Sequence, residues 1–188
     1  FDATYIVGSD QVWNLTITNE SYLRYFFNFL PNHTKRISYA ASFGSDEWVF
    51  NDKTQKIKEL LNKFSSISVR ESEGVKICNE NFEVNSDLVL DPTLLIEDYS
   101  ELIGNINIKK NLAGYKLNSD KKWRDFLKYI AEKKELTIVD LFPTKISFLG
   151  NLGGFNRKFL DVPLWLKNIA EASFVVTDSF HGTIFSIL

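Results

Sequence analysis

Apolar and polar positions alternate along this chain in two different patterns, and each pattern predicts one kind of secondary structure. Short runs of β-branched and aromatic residues predict strands, and apolar residues spaced three and four positions apart predict helices. The predicted strands are residues 3–8, 22–30, 35–43, 66–69, 87–90, 111–117, 136–142 and 173–178. The predicted helices are residues 52–64, 71–79, 120–133, 163–172 and 182–188. Because strands and helices alternate, the pattern indicates an α/β fold with parallel strands.

Two of these helices carry a continuous apolar stripe, which predicts the face that each one buries. In the first helix the stripe consists of Ile57, Leu60, Leu61 and Phe64. In the second it consists of Trp123, Phe126, Leu127, Ile130 and Ala131. Pro163 stands where a proline is favoured, at the start of a helix.

The pattern divides near residue 100. Residues 96–110 are polar and without clear periodicity, and the alternation of strands and helices restarts after them. We therefore expect an N-terminal α/β lobe over residues 1–100 and a C-terminal α/β lobe over residues 101–188. The sequence contains no methionine and stops within an apolar stretch at Leu188. An internal piece of a longer protein is expected, with the first lobe incomplete at its start and the second incomplete at its end.

Composition narrows the class of protein. With 44% hydrophobic and 24% charged residues, the chain has the composition of an ordinary globular protein. The net charge is -2 and the sequence shows no basic stripe, which argues against a nucleic-acid binder. No apolar run approaches the roughly 20 residues of a membrane-spanning helix. Cys78 is the only cysteine, so an intrachain disulfide is excluded and a buried core thiol is expected.

Candidate chemistry follows the last predicted strand. Ligands of doubly wound sheets bind beyond the carboxyl ends of strands, where Ser179, His181, Gly182 and Thr183 stand. A helix beginning near Thr183 favours an anion at its start, and two hydroxyls and a close backbone approach at glycine add to this. His181 has the residue type to hold an anion or to transfer a proton. The alternative is that Thr183 caps the helix and His181 is structural.

A second polar cluster follows the first strand. It consists of Ser9, Asp10, Gln11, Trp13 and Asn14. Sugars are commonly held by amide and carboxylate groups together with an aromatic face, so the cluster is a candidate sugar site. The alternative is an Asx-type turn that closes the strand.

Arg70 stands at the end of a predicted strand and is followed by Glu71. An arginine in this position can clamp a carboxylate or a phosphate through two hydrogen bonds, and the alternative is a surface ion pair. Asp91 begins a turn in which its side chain is expected to accept backbone hydrogen bonds. His33 lies in a polar loop and is expected to be exposed. No Cys/His spacing typical of a metal site occurs.

Five motifs stand in one order along nearly the entire chain. They are "IVGSDQVWN", "ISYAASFG", "SISVRESEG", "VLDPTLL" and "VVTDSFHGTIFSIL". In this order they resemble the polysaccharide pyruvyl transferase family. The resemblance implies two Rossmann-like lobes similar to the GT-B glycosyltransferase arrangement, with the active site in the cleft between them. It also implies transfer of pyruvate from phosphoenolpyruvate, as a ketal, onto a sugar of a bacterial surface glycan or exopolysaccharide.

What the resemblance implies can be assigned to residues. His181 is the expected acid/base, and the donor is expected to bind at Arg70, Ser179, His181, Gly182 and Thr183. The acceptor is expected at the cluster after the first strand, and its chemistry is that of a glycan or a lipid-linked sugar. No metal and no cofactor is expected besides phosphoenolpyruvate as substrate. The expected location is the cytoplasm or the inner face of the membrane.

One position departs from the family pattern. Some members carry an arginine two residues before the histidine, and Ser179 occupies that place here. A donor-binding cation is therefore missing from the motif, which bears on the identity of the donor. Two alternatives remain open: a GT-B-like glycosyltransferase that uses a nucleotide sugar, and a non-catalytic glycan-binding relative.

Overall fold

The fold belongs to the mixed α/β class and contains only parallel strand pairs in its described parts. The computed structural model describes residues 3–117, 120–141 and 160–188. Its strands are β1 (Thr4–Val7), β2 (Lys35–Ser38), β3 (Ser68–Val69), β4 (Asp87–Leu88), β5 (Lys109–Tyr115), β6 (Thr137–Asp140) and β7 (Ala172–Thr177). Its α-helices are α1 (Leu15–Thr18), α2 (Asn51–Leu61), α3 (Ser72–Phe82), α4 (Ser100–Ile103), α5 (Lys121–Lys134), α6 (Val162–Ala170) and α7 (Phe180–Ile187). Two 3-10 helices span Asn19–Phe26 and Pro92–Leu95.

The chain folds into two compact units, Phe1–Leu95 and Ile96–Leu188. The expected α/β class with parallel strands is confirmed for the described residues. The GT-B-like arrangement of two Rossmann-like lobes stays a prediction, and so do the lobe boundaries at residue 100. The predicted strand 136–142 forms as β6, and its last residue lies outside the described residues.

In the first unit, two serines join the strand pair β1–β2 to the pair β3–β4. The Ser38 hydroxyl donates to the Ser68 carbonyl and accepts from the Ser68 N–H, at 3.1 and 2.9 Å. The Ser68 hydroxyl donates to the Ser38 carbonyl at 2.9 Å and accepts from the Ala40 N–H at 3.2 Å. Both serines are buried, so their hydroxyls satisfy backbone groups that the short strands leave unpaired.

Aromatic residues fill the core of the first unit and explain one wrong prediction. Trp13 is fully buried, stacks on Phe26 at 5.3 Å and donates its indole N–H to the Tyr25 carbonyl. Residues 22–30 were expected to form a strand because they are rich in aromatics, but residues 19–26 form a 3-10 helix. Phe27 then adopts a left-handed conformation with φ 54 and turns the chain. Packing of the rings around Trp13 has overridden the strand propensity.

In the second unit the sheet has the order β6–β5–β7, and helices cover both of its faces. On one face Leu112 of β5 packs against Trp123 and Leu127 of α5. On the other face Ala113 clusters with Ile169 of α6. Side chains of neighbouring strand residues point to opposite faces, so consecutive buried residues in β5 are those of a central strand.

The helical stripes read from the sequence are largely confirmed. Ile57, Leu60 and Leu61 are buried along α2, and Phe64 packs against the same core from beyond the helix end. In α5 the prediction was wrong for one residue, because Phe126 is exposed. Cys78 of α3 is fully buried, as expected of a core thiol.

Replacing Ser68 with alanine is expected to destabilise the first unit by about 2–4 kcal/mol. The change leaves the buried Ser38 carbonyl and Ala40 N–H each without the hydroxyl, and an unmade buried hydrogen bond costs about 1–3 kcal/mol. Urea unfolding of the wild type and the variant measures the difference. The exposed Ser66 is the control, and Ser66→Ala is expected to change the free energy of unfolding by less than about 0.5 kcal/mol. Equal effects of the two substitutions would contradict the role of the serine pair.

Cys78 is expected to resist thiol reagents while the protein is folded. Burial raises the pKa of the Cys78 thiol to about 11, with a smaller opposing effect from the neighbouring Ser86 hydroxyl. At pH 8 only about one thiol in a thousand is then ionised, and the thiolate is the reactive form. Labelling with a chromogenic disulfide reagent at pH 8, with and without denaturant, checks this. Rapid labelling of the native protein would show that the thiol is accessible.

Candidate functional site

In the first unit a sharp turn after β1 positions the polar cluster. Gly8 has φ +124, and a Cβ at this position would lie 1.9 Å from the Tyr39 carbonyl oxygen. Only glycine fits there. Asp10 also has a positive φ of 69 and forms a parallel bridge with Ala41, which places it at the carboxyl end of the sheet.

The residues of this cluster have different environments. Asn14 caps α1 by accepting from the Thr16 N–H at 3.0 Å, and its amide donates to the Gln11 side-chain oxygen at 2.8 Å. This is the local turn that the sequence left open as an alternative. Ser9 is half-buried, and the Asp10 side chain is 66% exposed.

Trp13 does not present a sugar-binding face in this structure. Its ring is enclosed by Phe26, Phe43 and Phe64, so the aromatic platform inferred from the sequence is a core residue. The physical reason is that burying the large apolar surface of the indole is favourable. Its one polar group, the N–H, is satisfied by a backbone carbonyl. The candidate sugar site retains its polar members.

Arg70 lies at the centre of an ion-pair network in the first unit. Its Nη1 is 2.9 Å from Asp91, its Nε is 2.9 Å from Glu71 and its Nη2 is 3.2 Å from Asp10. The Arg70 side chain is only 2% exposed and that of Asp91 is fully buried. Because Asp10, Arg70 and Asp91 follow β1, β3 and β4, the network ties three strand ends together.

The network holds its cation strongly. Burial alone would lower the pKa of Arg70, but hydrogen bonds to Glu71 and Asp91 outweigh it and raise that pKa above its ordinary value. One positive charge faces three carboxylates, which leaves an excess of negative charge. Arg70 forms the ion pair that the sequence left open as an alternative, and this pair is buried rather than on the surface. The role of Arg70 as a clamp for an anionic donor stays a prediction. Asp91 also accepts from the Thr93 N–H, as expected of the turn.

In the second unit the candidate anion site lies at the start of α7. The helix begins at Phe180, two residues before the predicted range 182–188. Ser179 is the N-cap, and its hydroxyl oxygen accepts from the Gly182 N–H at 3.3 Å. The Thr183 hydroxyl instead donates back to the Ser179 carbonyl at 3.1 Å, so Thr183 does not cap the helix. His181 therefore lies in the first turn, where the helix dipole is positive.

Close packing of α7 on the sheet depends on Gly182. A Cβ on this residue would lie 2.3 Å from the Thr177 hydroxyl oxygen and 3.1 Å from the Tyr115 ring. The glycine thus permits close helix–sheet contact and brings the first turn of α7 down onto the ends of β5 and β7. The half-buried His181 ring contacts the Phe180 ring edge-to-face at 5.2 Å.

The structure adds polar residues that sequence analysis did not select. Tyr115 and Asp140 are the last residues of β5 and β6, and Asp178 follows β7. Burial, and secondly the charge of Asp178, raises the pKa of Tyr115, so its hydroxyl keeps its proton at neutral pH. The signal that identifies them is their position at the carboxyl end of each strand, where ligands of parallel sheets bind.

His33, the second histidine, lies in an exposed loop, as expected, and lines an open depression of about 450 Å³ with Tyr5 and Lys35. Across the described ranges, no three Cys, His, Asp or Glu side chains are grouped to hold a metal ion. The expected metal-free reaction stays a prediction. In the same ranges, none of the helices has both the length and the apolar character needed to cross a bilayer.

Comparison with known protein families identifies the family of this chain. The sequence model of the family described as polysaccharide pyruvyl transferase matches residues 1–188, which is the whole chain. No curated protein and no solved structure matches it. The resemblance carried by the five motifs is therefore confirmed at the level of the family.

Removing the Arg70 guanidinium is expected to destabilise the first unit strongly. Arg70→Met keeps most of the side-chain volume but leaves the fully buried Asp91 carboxylate without its 2.9 Å cation. Breaking a buried pair in this way costs about 3–5 kcal/mol. Arg24→Met is the matched control, because Arg24 is exposed and a change there is expected to cost less than about 0.5 kcal/mol. Denaturant unfolding of both variants decides, and a small effect at Arg70 would mean that the network is not a structural requirement.

Proposed function

We propose, because the chain belongs to the polysaccharide pyruvyl transferase family, that it transfers pyruvate from phosphoenolpyruvate onto two hydroxyls of a sugar as a ketal. The acceptor in this proposal is a glycan or a lipid-linked sugar destined for a bacterial surface glycan or exopolysaccharide. The single observation that carries the proposal is the family match over the whole chain. What also supports it is that a histidine, carboxylates and hydroxyls lie at or just after the carboxyl ends of parallel strands in each unit.

The proposed reaction has two bond-forming steps. In the first, one sugar oxygen attacks the carbon that bears the phosphate, and the methylene carbon of the donor takes up a proton and becomes a methyl group. In the second, the other sugar oxygen attacks the same carbon, and inorganic phosphate leaves with its bond electrons. One hydroxyl proton balances the methyl group and the other leaves with phosphate. The first step needs a general acid and each attack is assisted by a general base.

We assign the general acid to His181. Its position in the first turn of α7 puts an imidazole beside the positive end of a helix, where the phosphate and carboxylate of the donor are favoured. The buried Ser179 and the Tyr115 hydroxyl, which stays protonated, are neutral hydrogen-bonding groups at the same strand ends. In this assignment helix N–H groups and hydroxyls take the place of the arginine that Ser179 replaces.

We assign the acceptor to the first unit. Asp10 is the exposed member of the Arg70 network: one of its carboxylate oxygens lies 3.2 Å from Arg70, and the side chain is otherwise open to solvent. A carboxylate held in this way is oriented to accept a hydrogen bond from a sugar hydroxyl and to take its proton. Arg70 acts in this proposal as the positioning residue of Asp10 rather than as a donor clamp.

The test is acceptor-dependent release of phosphate from phosphoenolpyruvate, followed by detection of the new ketal methyl group by NMR. A panel of aryl glycosides serves as acceptor. His181→Gln is expected to lower turnover by roughly 100-fold or more while the melting temperature stays close to that of the wild type. His33→Gln is the matched control, because it removes the chain's other histidine from an exposed loop, and its turnover is expected to be unchanged.

Three outcomes contradict the proposal in different ways. Transfer from a nucleotide sugar with no response to phosphoenolpyruvate identifies a glycosyltransferase. Sugar binding without turnover of any donor identifies a glycan-binding relative. Full activity of His181→Gln together with a lowered melting temperature keeps the reaction but makes His181 a structural residue.

A further inference from the structure

Helix α5 presents an exposed stripe of aromatic and basic residues that the fold does not use. Lys122, Phe126, Tyr129 and Lys133 are spaced four, three and four positions apart, so they lie along one face of the helix. All four are exposed, with Phe126 at 48% and Tyr129 at 58%. We call these four residues the α5 stripe.

The core does not require the rings of the α5 stripe. The buried side of the helix is supplied by Trp123, Leu127 and Ala131, which pack against the sheet. Phe126 only touches the edge of this cluster through Trp123, at a ring separation of 6.4 Å. The two exposed rings are therefore apolar surface that the core does not use. Contiguous exposed apolar surface is characteristic of interaction sites.

Charge is concentrated on the same helix. Helix α5 carries six basic and two acidic residues, a net charge of +4, whereas the chain as a whole carries -2. The sequence alone showed no basic stripe, because the helical turn is what brings these residues together. Lysines close the α5 stripe at both ends, and Lys133 lies 5.7 Å from the Tyr129 ring. The two acidic residues, Asp125 and Glu132, fall on the neighbouring side of the helix.

We propose that the α5 stripe docks the protein on an anionic membrane surface. Phe and Tyr side chains exposed beside lysines are the combination by which helices lie in the headgroup region: rings enter the interface and ammonium groups pair with anionic lipids. The stripe is straight and spans about 16 Å along the helix axis at about 1.5 Å per residue, which suits a flat surface. Because the remainder of the chain is acidic, the attraction also fixes which side faces the lipid.

A single-point contact with a soluble ligand fits these observations less well. A neutral sugar would use the rings but not the two terminal lysines. An acidic polymer would use the lysines along the whole basic helix, including Arg124 and Lys128 on the opposite flank, and would not need the rings. The proposal goes beyond the proposed function, since it concerns where the protein sits and not which group it transfers.

The experiment is flotation of the purified full chain with vesicles of phosphatidylcholine alone or mixed with phosphatidylglycerol. Binding to the anionic vesicles is expected to be at least about tenfold stronger and to fall as salt is raised. Two double variants test the α5 stripe, Lys122→Glu with Lys133→Glu, and Phe126→Ser with Tyr129→Ser. Each is expected to weaken binding about tenfold or more while circular dichroism and the melting temperature stay close to those of the wild type.

The matched control is the double variant Arg124→Glu with Lys128→Glu, which changes the charge of the same helix by the same amount on the other flank. Its binding is expected to fall no more than about threefold, because those residues point away from the lipid. Absence of vesicle binding by the wild type overturns the proposal. Equal losses in the charge variants of the two flanks also overturn it, since net charge and not the stripe would then be responsible. Binding to an acidic polysaccharide but not to vesicles would overturn it in favour of a polymer.

Discussion

The buried guanidinium of Arg70 is the constraint on which the first unit depends. The Arg70 side chain is only 2% exposed, and a buried charge is stable only when opposite charges surround it. The carboxylates that do so belong to residues 10, 71 and 91. Two of these partners lie 60 and 21 positions away along the sequence. Meeting this demand brings the ends of β1, β3 and β4 to one place, although each of the latter two strands is only two residues long.

At other positions, hydrogen bonds between uncharged groups connect the strands and fix the start of a helix. The pair Ser38 and Ser68 connects the strands of the first unit where the regular ladder is interrupted. In the second unit the Thr177 hydroxyl accepts from the Ser179 N–H at 3.0 Å, and Ser179 in turn caps α7. His181 is therefore positioned by a helix cap and by the close contact at Gly182.

The two units thus offer different electrostatic surroundings at their strand ends. The Arg70 network carries an excess of negative charge, which suits hydrogen bonding to neutral sugar hydroxyls better than binding of an anion. The start of α7 carries the positive end of a helix dipole, which suits a phosphate or a carboxylate. This difference underlies the assignment of acceptor and donor in the proposed function.

Local sequence determined the elements whose signals are self-contained. The stripe of Ile57, Leu60 and Leu61 predicts α2, and proline at 163 predicts the start of α6, because both depend only on helical geometry. The ordered motifs determined the family, and the polar residues after strands were correctly placed at strand ends. Local sequence did not determine the roles of these residues, because a role depends on which other side chains surround the residue in the folded protein.

Tertiary structure alone decided those surroundings. Trp13 stands in a polar motif, and only packing against Phe26 shows it to be a core residue. The aromatic run 22–30 has strand propensity, but it forms a 3-10 helix and a turn that bury Phe26 and Phe27 in the core. Arg70 ends a predicted strand, and only the folded chain shows which distant carboxylates its guanidinium contacts. The physical reason is common to all three: burial and ion pairing are set by contacts between residues far apart in sequence, which local periodicity does not encode.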